Sequence, residues 1–202
     1  VEDSEADDVI GYLCKYKLKH REKIILSSDH DYYQLVDKKT IIWSPTLKKF
    51  VNDKIVLERT CIHPANFALA KSIVGDNSDN IPGVKGVGFK SLAKEYGEMF
   101  QNEDFDNNMF QFFIENAARA KNSKKKIYHR IKESEDLITR NFKLVYLGTN
   151  NLAHYQTNKL EQKIENIKKT YDNIKVHKLL KEHTIINLDI LRSKIIFKKL
   201  QG

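Results

Sequence analysis

The segment Gly75-Asp76-Asn77-Ser78-Asp79-Asn80-Ile81-Pro82-Gly83-Val84-Lys85-Gly86-Val87-Gly88 constrains this chain more than any other. Three of the eight glycines of the sequence fall within its last six residues. Apolar helical patterns flank it, Ala65–Val74 after Pro64 and Phe89–Tyr96 before Gly97. The chain there must run helix, tight turn, helix, because glycine supplies the turn and ends the first helix. Backbone amides at such a turn, beside a helix start, suit a phosphate, and Lys85, Lys90 and Lys94 lie near. Asp76 and Asp79, taken alone, also fit ordinary Asx turns.

Two further acidic clusters precede it. Ser4-Glu5-Ala6-Asp7-Asp8 opens a predicted helix, Ser4 to about Leu18, with Val9, Ile10, Leu13 and Tyr16 as its apolar face. Glu5 and Asp8 share a face, and Asp7 lies about 100° round from Asp8. The three therefore suit a metal pair or a water-bridged shell. A second reading stays open, a capping box of Ser4 and Asp7 with acids favoured by the helix dipole. Ser28-Asp29-His30-Asp31 follows the apolar run Lys23–Ser27, which reads as a buried strand. If the chain stays extended, Asp29 and Asp31 point the same way. Ligands of open α/β sheets bind at the carboxyl ends of strands, and two carboxylates there repel without a cation between them. The alternative is a turn held by Asx hydrogen bonds. His30 reads as solvent-facing or hydrogen-bonded rather than as a metal ligand.

Carboxylate-only clusters favour hard cations, Mg²⁺ or Mn²⁺. The charge layout supplies a partner for such ions. Residues 1–118 carry 15 basic and 19 acidic residues, whereas 119–202 carry 20 basic and 8 acidic. The net charge of +8 is thus concentrated in a basic half suited to a polyanion. A magnesium site beside a phosphate-binding surface points to two-metal hydrolysis of a phosphodiester.

The same arithmetic excludes other classes. With 41% apolar and 10% aromatic residues the chain can bury a core, so wholesale disorder is excluded. The longest uncharged run, Leu144–Asn158, holds four Asn or Gln, whereas a membrane span needs about 20 mostly apolar residues. Cys14 and Cys61 form neither a disulfide framework nor a zinc spacing, so a reducing, cytoplasmic setting is expected. The chain begins with Val and enters an acidic motif within five residues, which reads as the middle of a longer protein.

The remaining pattern is α/β. Asp31–Val36 reads as a short helix, and Thr40–Trp43 with Lys49–Val51 as a hairpin around Ser44-Pro45. Met109–Ala120, Ser134–Tyr146 and Lys159–Lys181 read as helices, with a basic break at Lys121–Lys126.

In this order the three clusters resemble the structure-specific 5′-nuclease superfamily, which holds flap endonucleases and the 5′-nuclease domains of bacterial DNA polymerases. The bacteriophage ribonuclease H and 5′-3′ exonuclease branch is the nearest in look, through Ile42-Trp43-Ser44-Pro45, Lys48-Lys49-Phe50-Val51, and Arg140-Asn141 ahead of Leu144-Val145. The resemblance covers roughly residues 1–148. It implies the C-terminal portion of a PIN-like nuclease domain, a central sheet flanked by helices, over residues 1–60. A helical DNA-binding region would follow over 61–202, with a helix–hairpin–helix element at about 65–97. It implies two Mg²⁺ or Mn²⁺ ions per site, with Glu5, Asp7, Asp8, Asp29 and Asp31 lining the metal site and Asp76 and Asp79 completing the second metal. Gly83, Val84, Lys85, Gly86, Val87, Gly88 and Lys90 would meet DNA, with K⁺ on carbonyls of the hairpin. The implied substrates are duplex DNA with a 5′ flap and RNA–DNA hybrid, cut during primer removal, with replication proteins as further partners. The superfamily's other metal-binding aspartates and its helical arch lie upstream of Val1, so an upstream polypeptide is expected to complete the site.

Two other readings compete. A non-catalytic duplex-DNA-binding module would use the glycine hairpin and the basic half, but has no need of seven carboxylates beside DNA. An RNA-cleaving domain of the same broad fold has no need of a duplex clamp.

Overall fold

The structure, a computed structural model, describes residues 4–103, 126–148 and 151–166. Helix α1, Ala6–Tyr12, runs into a π-helical turn at Leu13–Lys17. The expected helix is therefore shorter and starts later. Its N-cap position falls on Glu5, which makes no side-chain cap hydrogen bond.

Strand β1, Lys23–Leu26, pairs in parallel with β2, Thr40–Ser44, and β2 pairs antiparallel with β3, Lys49–Val51. The register sets Ile25 opposite Ile42 and Ile42 opposite Val51. These three form one buried row across the sheet. The strand read as buried is buried on one side only, for Ile24 and Leu26 are 62% and 71% exposed. Alternation explains the difference: a strand sends successive side chains to opposite faces, and only the Ile25 face meets the core. Between β1 and β2 lies a short 3₁₀ helix, Asp31–Leu35, with Tyr32, Tyr33, Gln34 and Leu35 all buried.

Helix α2, Asp53–Thr60, has no counterpart among the predicted elements. Its apolar residues Ile55, Val56 and Leu57 are consecutive, so no helical period shows. The signal it does carry is Asn52, whose Oδ1 accepts from the Ile55 amide at 3.1 Å. A 3₁₀ turn at Pro64–Asn66 leads into α3, Phe67–Val74. Every residue of α3 from Phe67 to Ile73 is buried, Lys71 and Ser72 included. Gly75 ends α3 at φ 81°, a conformation side chains disfavour. Helix α4 spans Phe89–Glu95, and Gly97 opens α5, Gly97–Gln101, rather than closing the segment.

Two helices follow, α6 at Lys126–Glu133 and α7 at Glu135–Val145. The first was not expected, since Lys121–Lys126 reads only as a basic break. Its buried Ile131 gives it an inner face. In α7, Ile138 and Val145 are buried as expected, and Leu137 and Phe142 are half-buried. Helix α8 is His154–Glu165. Met109–Ala120, and Lys159–Lys181 beyond residue 166, lie outside the described residues. The described residues up to Gln156 pack as one compact unit.

The core of this unit gathers Ile42, Val51, Val56, Ile62, Leu69, Ile73, Leu92, Phe100, Ile131 and Ile138. Each such side chain contributes about 1.5–3 kcal/mol on burial. Helix α3 packs along α7, and two buried amides tie α7 to its neighbours. Asn141 Nδ2 on α7 donates to the carbonyls of Ser72, at 3.0 Å, and Pro82, at 2.8 Å. Gln34 Nε2 donates to the Val145 carbonyl at 2.9 Å, and its Oε1 accepts from the Leu147 amide at 2.9 Å. The acid-bearing segments are thus tied to one frame.

Candidate active site

All seven predicted carboxylates come to two adjoining clefts. The first, about 730 Å³, is lined by Glu5, Asp7, Asp8, Asp29, Asp31 and Asp79. The second, about 560 Å³, shares Asp29, Asp31 and Asp79 and adds Asp76. The tightest group is Asp31, Asp76 and Asp79, one ligand oxygen of each lying within 4.8 Å of the others. Glu5, Asp7, Asp8 and Asp29 line the space without joining that group.

Each cluster is held by local hydrogen bonds. The Asp29 carboxylate accepts from the Asp31 amide at 2.9 Å, so the chain turns rather than staying extended. The Asx turn and the cleft-facing position coexist in one residue. The Asp76 carboxylate accepts from the Ser78 amide at 2.8 Å and from the Ser78 hydroxyl. Asp76 and Ile81 exchange two backbone hydrogen bonds, at 2.8 and 2.7 Å, which close the loop that carries Asp79. His30 stacks on the Tyr33 ring with centroids 4.8 Å apart and stays outside the tight group.

Three residues near the acids were not singled out in the sequence. Lys71, buried in α3, forms ion pairs with Asp31 and with Asp76, the latter at 2.6 Å, and lies 4.0 Å from Asp79. A lone lysine inside Phe67-Ala68-Leu69-Ala70-Lys71-Ser72-Ile73 was a readable signal. Burial pushes the Asp76 carboxyl up, but hydrogen bonds from Lys71 and Ser78, with the Lys71 charge, outweigh it and hold it at about 2. The Tyr32 hydroxyl donates to Asp7 Oδ1 at 2.5 Å. Burial, then that hydrogen bond, pushes the phenol well above its usual range, so it stays a donor. Asn151 Nδ2 donates to Asp8 Oδ1 at 2.7 Å. No pattern in the sequence marks Tyr32 or Asn151.

The donor set suits a hard cation. Among the described residues lining the two clefts, seven carboxylates face two lysines, Lys71 and Lys143, and divalent ions relieve such an excess of negative charge.

The glycine loop separates into packed and exposed parts. A Cβ on Gly83 would lie 1.8 Å from the Val74 carbonyl oxygen, so only glycine passes there. Val84 and Val87 bury their side chains, and the Val84 amide donates to the Ile73 carbonyl at 2.8 Å. The Gly88 amide donates to the Ser91 hydroxyl at 2.8 Å. Lys85, Gly86 and Lys90 remain exposed. Arg130 of α6 donates to the Lys85 carbonyl at 3.2 Å, which puts a guanidinium on one of the carbonyls expected to hold K⁺.

Residues 1–61 match the family described as the 5′-3′ exonuclease, N-terminal resolvase-like domain. The 5′-3′ exonuclease of Mycoplasma pneumoniae is 36% identical over 112 residues, 50% of this chain and 38% of that protein. Over about half its length the chain is similar to 5′-3′ exonucleases. DNA polymerase I of Caldicellulosiruptor bescii is 37% identical over 116 residues, 51% of this chain and 14% of that one. The fold is similar to that of solved bacteriophage T5 nucleases. The bacteriophage T5 5′-exonuclease with bound zinc superposes with a TM-score of 0.62 at 27% identity, over 75% of this chain and 53% of that one. The bacteriophage T5 flap endonuclease in complex with DNA and metal ions gives 0.66 at 25% identity, over 81% and 60%. The expected α/β fold is thus similar to that of the T5 exonuclease, helix-rich with a small sheet. The chain spans 38% and 14% of the two sequence relatives and 53% and 60% of the two T5 structures, less than two thirds of each. Among its described residues no helix is long and apolar enough to cross a membrane.

Proposed function

We propose that this chain is a part, completed by an upstream segment, of a Mg²⁺- or Mn²⁺-dependent structure-specific 5′-nuclease, acting on duplex DNA with a 5′ flap or on RNA–DNA hybrid. The observation that carries the reading is the convergence of Glu5, Asp7, Asp8, Asp29, Asp31, Asp76 and Asp79, distant in sequence, on adjoining clefts. Divalent ions bound there supply an activated water and neutralise charge that builds on a phosphate. Asp31, Asp76 and Asp79 would hold one ion, and Glu5, Asp7 and Asp8 would face the other.

This chain's own residues do the rest. Tyr32 and Asn151 fix the carboxylates of Asp7 and Asp8. Helices α3 and α4 with the loop between them form the element proposed to grip the duplex, its exposed Lys85 and Lys90 reaching phosphate oxygens. Among the described residues the amides of Lys85 and Gly86 donate to no protein group and are left for the same contact. Phosphate contacts of this kind position the duplex and carry no sequence preference, as a structure-specific enzyme needs.

The test is a 5′-end-labelled flap duplex incubated with the chain in Mg²⁺ or in chelator. Magnesium-dependent cutting near the flap junction is expected once the chain is joined to an upstream segment that completes the site. Binding without cutting by that completed protein would overturn the nuclease reading in favour of a duplex-binding module.

A further inference from the structure

The buried ammonium of Lys71 lies among the same three carboxylates that make the tightest acidic group. It pairs with Asp31, lies 2.6 Å from Asp76 Oδ2 and 4.0 Å from Asp79 Oδ2, and its side chain is only 6% exposed. The ligand oxygens of those aspartates are all within 4.8 Å of one another. An ammonium and a hard dication cannot share that space. Mg²⁺ takes oxygens at about 2.1 Å and tolerates little distortion, and the two charges repel.

We propose that Lys71 is the resident counter-ion of the site, and that a divalent ion binds by displacing it. The inference rests on the metal-dependent reading above and adds how that site is regulated. Without metal, Lys71 keeps three converging carboxylates from repelling one another. Metal binding is then an exchange. A monovalent ion swaps one unit charge for another and also gives up its hydration. A dication gains a net unit of attraction, so the lysine acts as a filter against monovalent ions. The lysine stem is long and flexible, and the adjoining cleft beside Phe67, Gly75 and Phe89 gives it room to swing aside.

The exchange sets a sign that other roles do not. If Lys71 competes with the ion, removing its charge tightens metal binding. If Lys71 only holds the aspartates in place, removing it loosens binding.

The experiment is calorimetric titration of Mn²⁺ into the whole DNA-free chain, wild type and Lys71→Met. The Met variant is expected to bind Mn²⁺ at least tenfold more tightly. It is also expected to melt lower than wild type in chelator and to gain more in Tm from Mn²⁺. Equal or weaker Mn²⁺ binding by a folded Lys71→Met, with wild type binding normally, overturns the displacement and leaves the metal site standing. No Mn²⁺ binding by either protein sinks the metal reading and the displacement together. A second measurement needs no variant. In wild type carrying ¹³C at the lysine Cε, the Lys71 signal is expected to move to a new position as Mg²⁺ saturates the site. A signal unchanged at saturation overturns the proposal even if Lys71→Met fails to fold.

Discussion

Tyr32, buried on the 3₁₀ helix after β1, donates its phenolic hydrogen to Asp7 Oδ1 on α1 at 2.5 Å, joining two acidic clusters 25 residues apart in sequence. The phenol is held protonated by burial and by this bond, so Asp7, which lines the cleft, has a fixed donor on one oxygen.

Tyr32→Phe keeps the ring and removes only that donor. A residue that orients a metal ligand typically affects affinity by about 10–100-fold when lost. Mn²⁺ titration is expected to show a loss in that range, with a stability loss of about 1.5–3 kcal/mol in urea. Unchanged Mn²⁺ affinity would remove Tyr32 from the site.

Gly83 and Gly88 stand five residues apart in one loop and differ in what a methyl group meets. At Gly83 the new atom collides with the Val74 carbonyl, whereas at Gly88 nothing lies within 4 Å. Gly83→Ala is expected to cost about 3 kcal/mol or more, because backbone must move. Gly88→Ala should cost less than about 1 kcal/mol. Denaturation midpoints of the two variants check the contrast, and equal losses would contradict it.

Asp76 sets an acid limit on the metal-free protein. Its folded value of about 2 lies below the ordinary 3.8, so its carboxylate form stabilises the fold. That contribution is full above about pH 4 and is lost as pH falls toward 2. In chelator, the gap in urea midpoint between wild type and Asp76→Asn is expected to shrink over that window. A gap independent of pH would show that Asp76 is not held by Lys71 and Ser78 as described.

Lys15 has the opposite sense. Burial lowers its ammonium to about 8, although the Nζ sits 4.1 Å over the Tyr146 ring, a contact that favours the charge. Its folded value lies below the ordinary 10.5, so it weakens the fold below pH 8 and the penalty fades as pH rises to 10.5. Lys15→Met is expected to stabilise the protein by about 1–3 kcal/mol at pH 7, net of the lost ring contact, and by little at pH 10.5. Urea unfolding at the two pH values measures this.

Much of the site was legible because its acids occur in dense clusters at element boundaries. Asp29, Asp31, Asp76 and Asp79 stand out in sequence, and the glycines after Asp76 and Asp79 announce the turn. What could not be read were contacts between segments far apart in the chain. Tyr32 and Asn151 are an ordinary aromatic and an ordinary loop amide until the fold sets them beside Asp7 and Asp8. Lys71 was visible as a charge in an apolar helix, but its partners 40 residues upstream and five downstream were not. In the fold, hairpin and helix α3 followed from alternation, apolar runs and glycine stops. Helix α2 escaped because its apolar residues cluster instead of recurring, and the uncovered face of β1 could not be told from a buried strand by composition.

The central claim is that Asp31, Asp76 and Asp79 hold one divalent ion. Its most direct test is Mn²⁺ affinity of the whole chain, wild type against Asp31→Asn and Asp76→Asn, in the absence of DNA. Saturable binding by wild type, weakened at least tenfold in each variant, is the predicted result. Equal affinity in all three proteins, or no saturable binding by wild type, would contradict it.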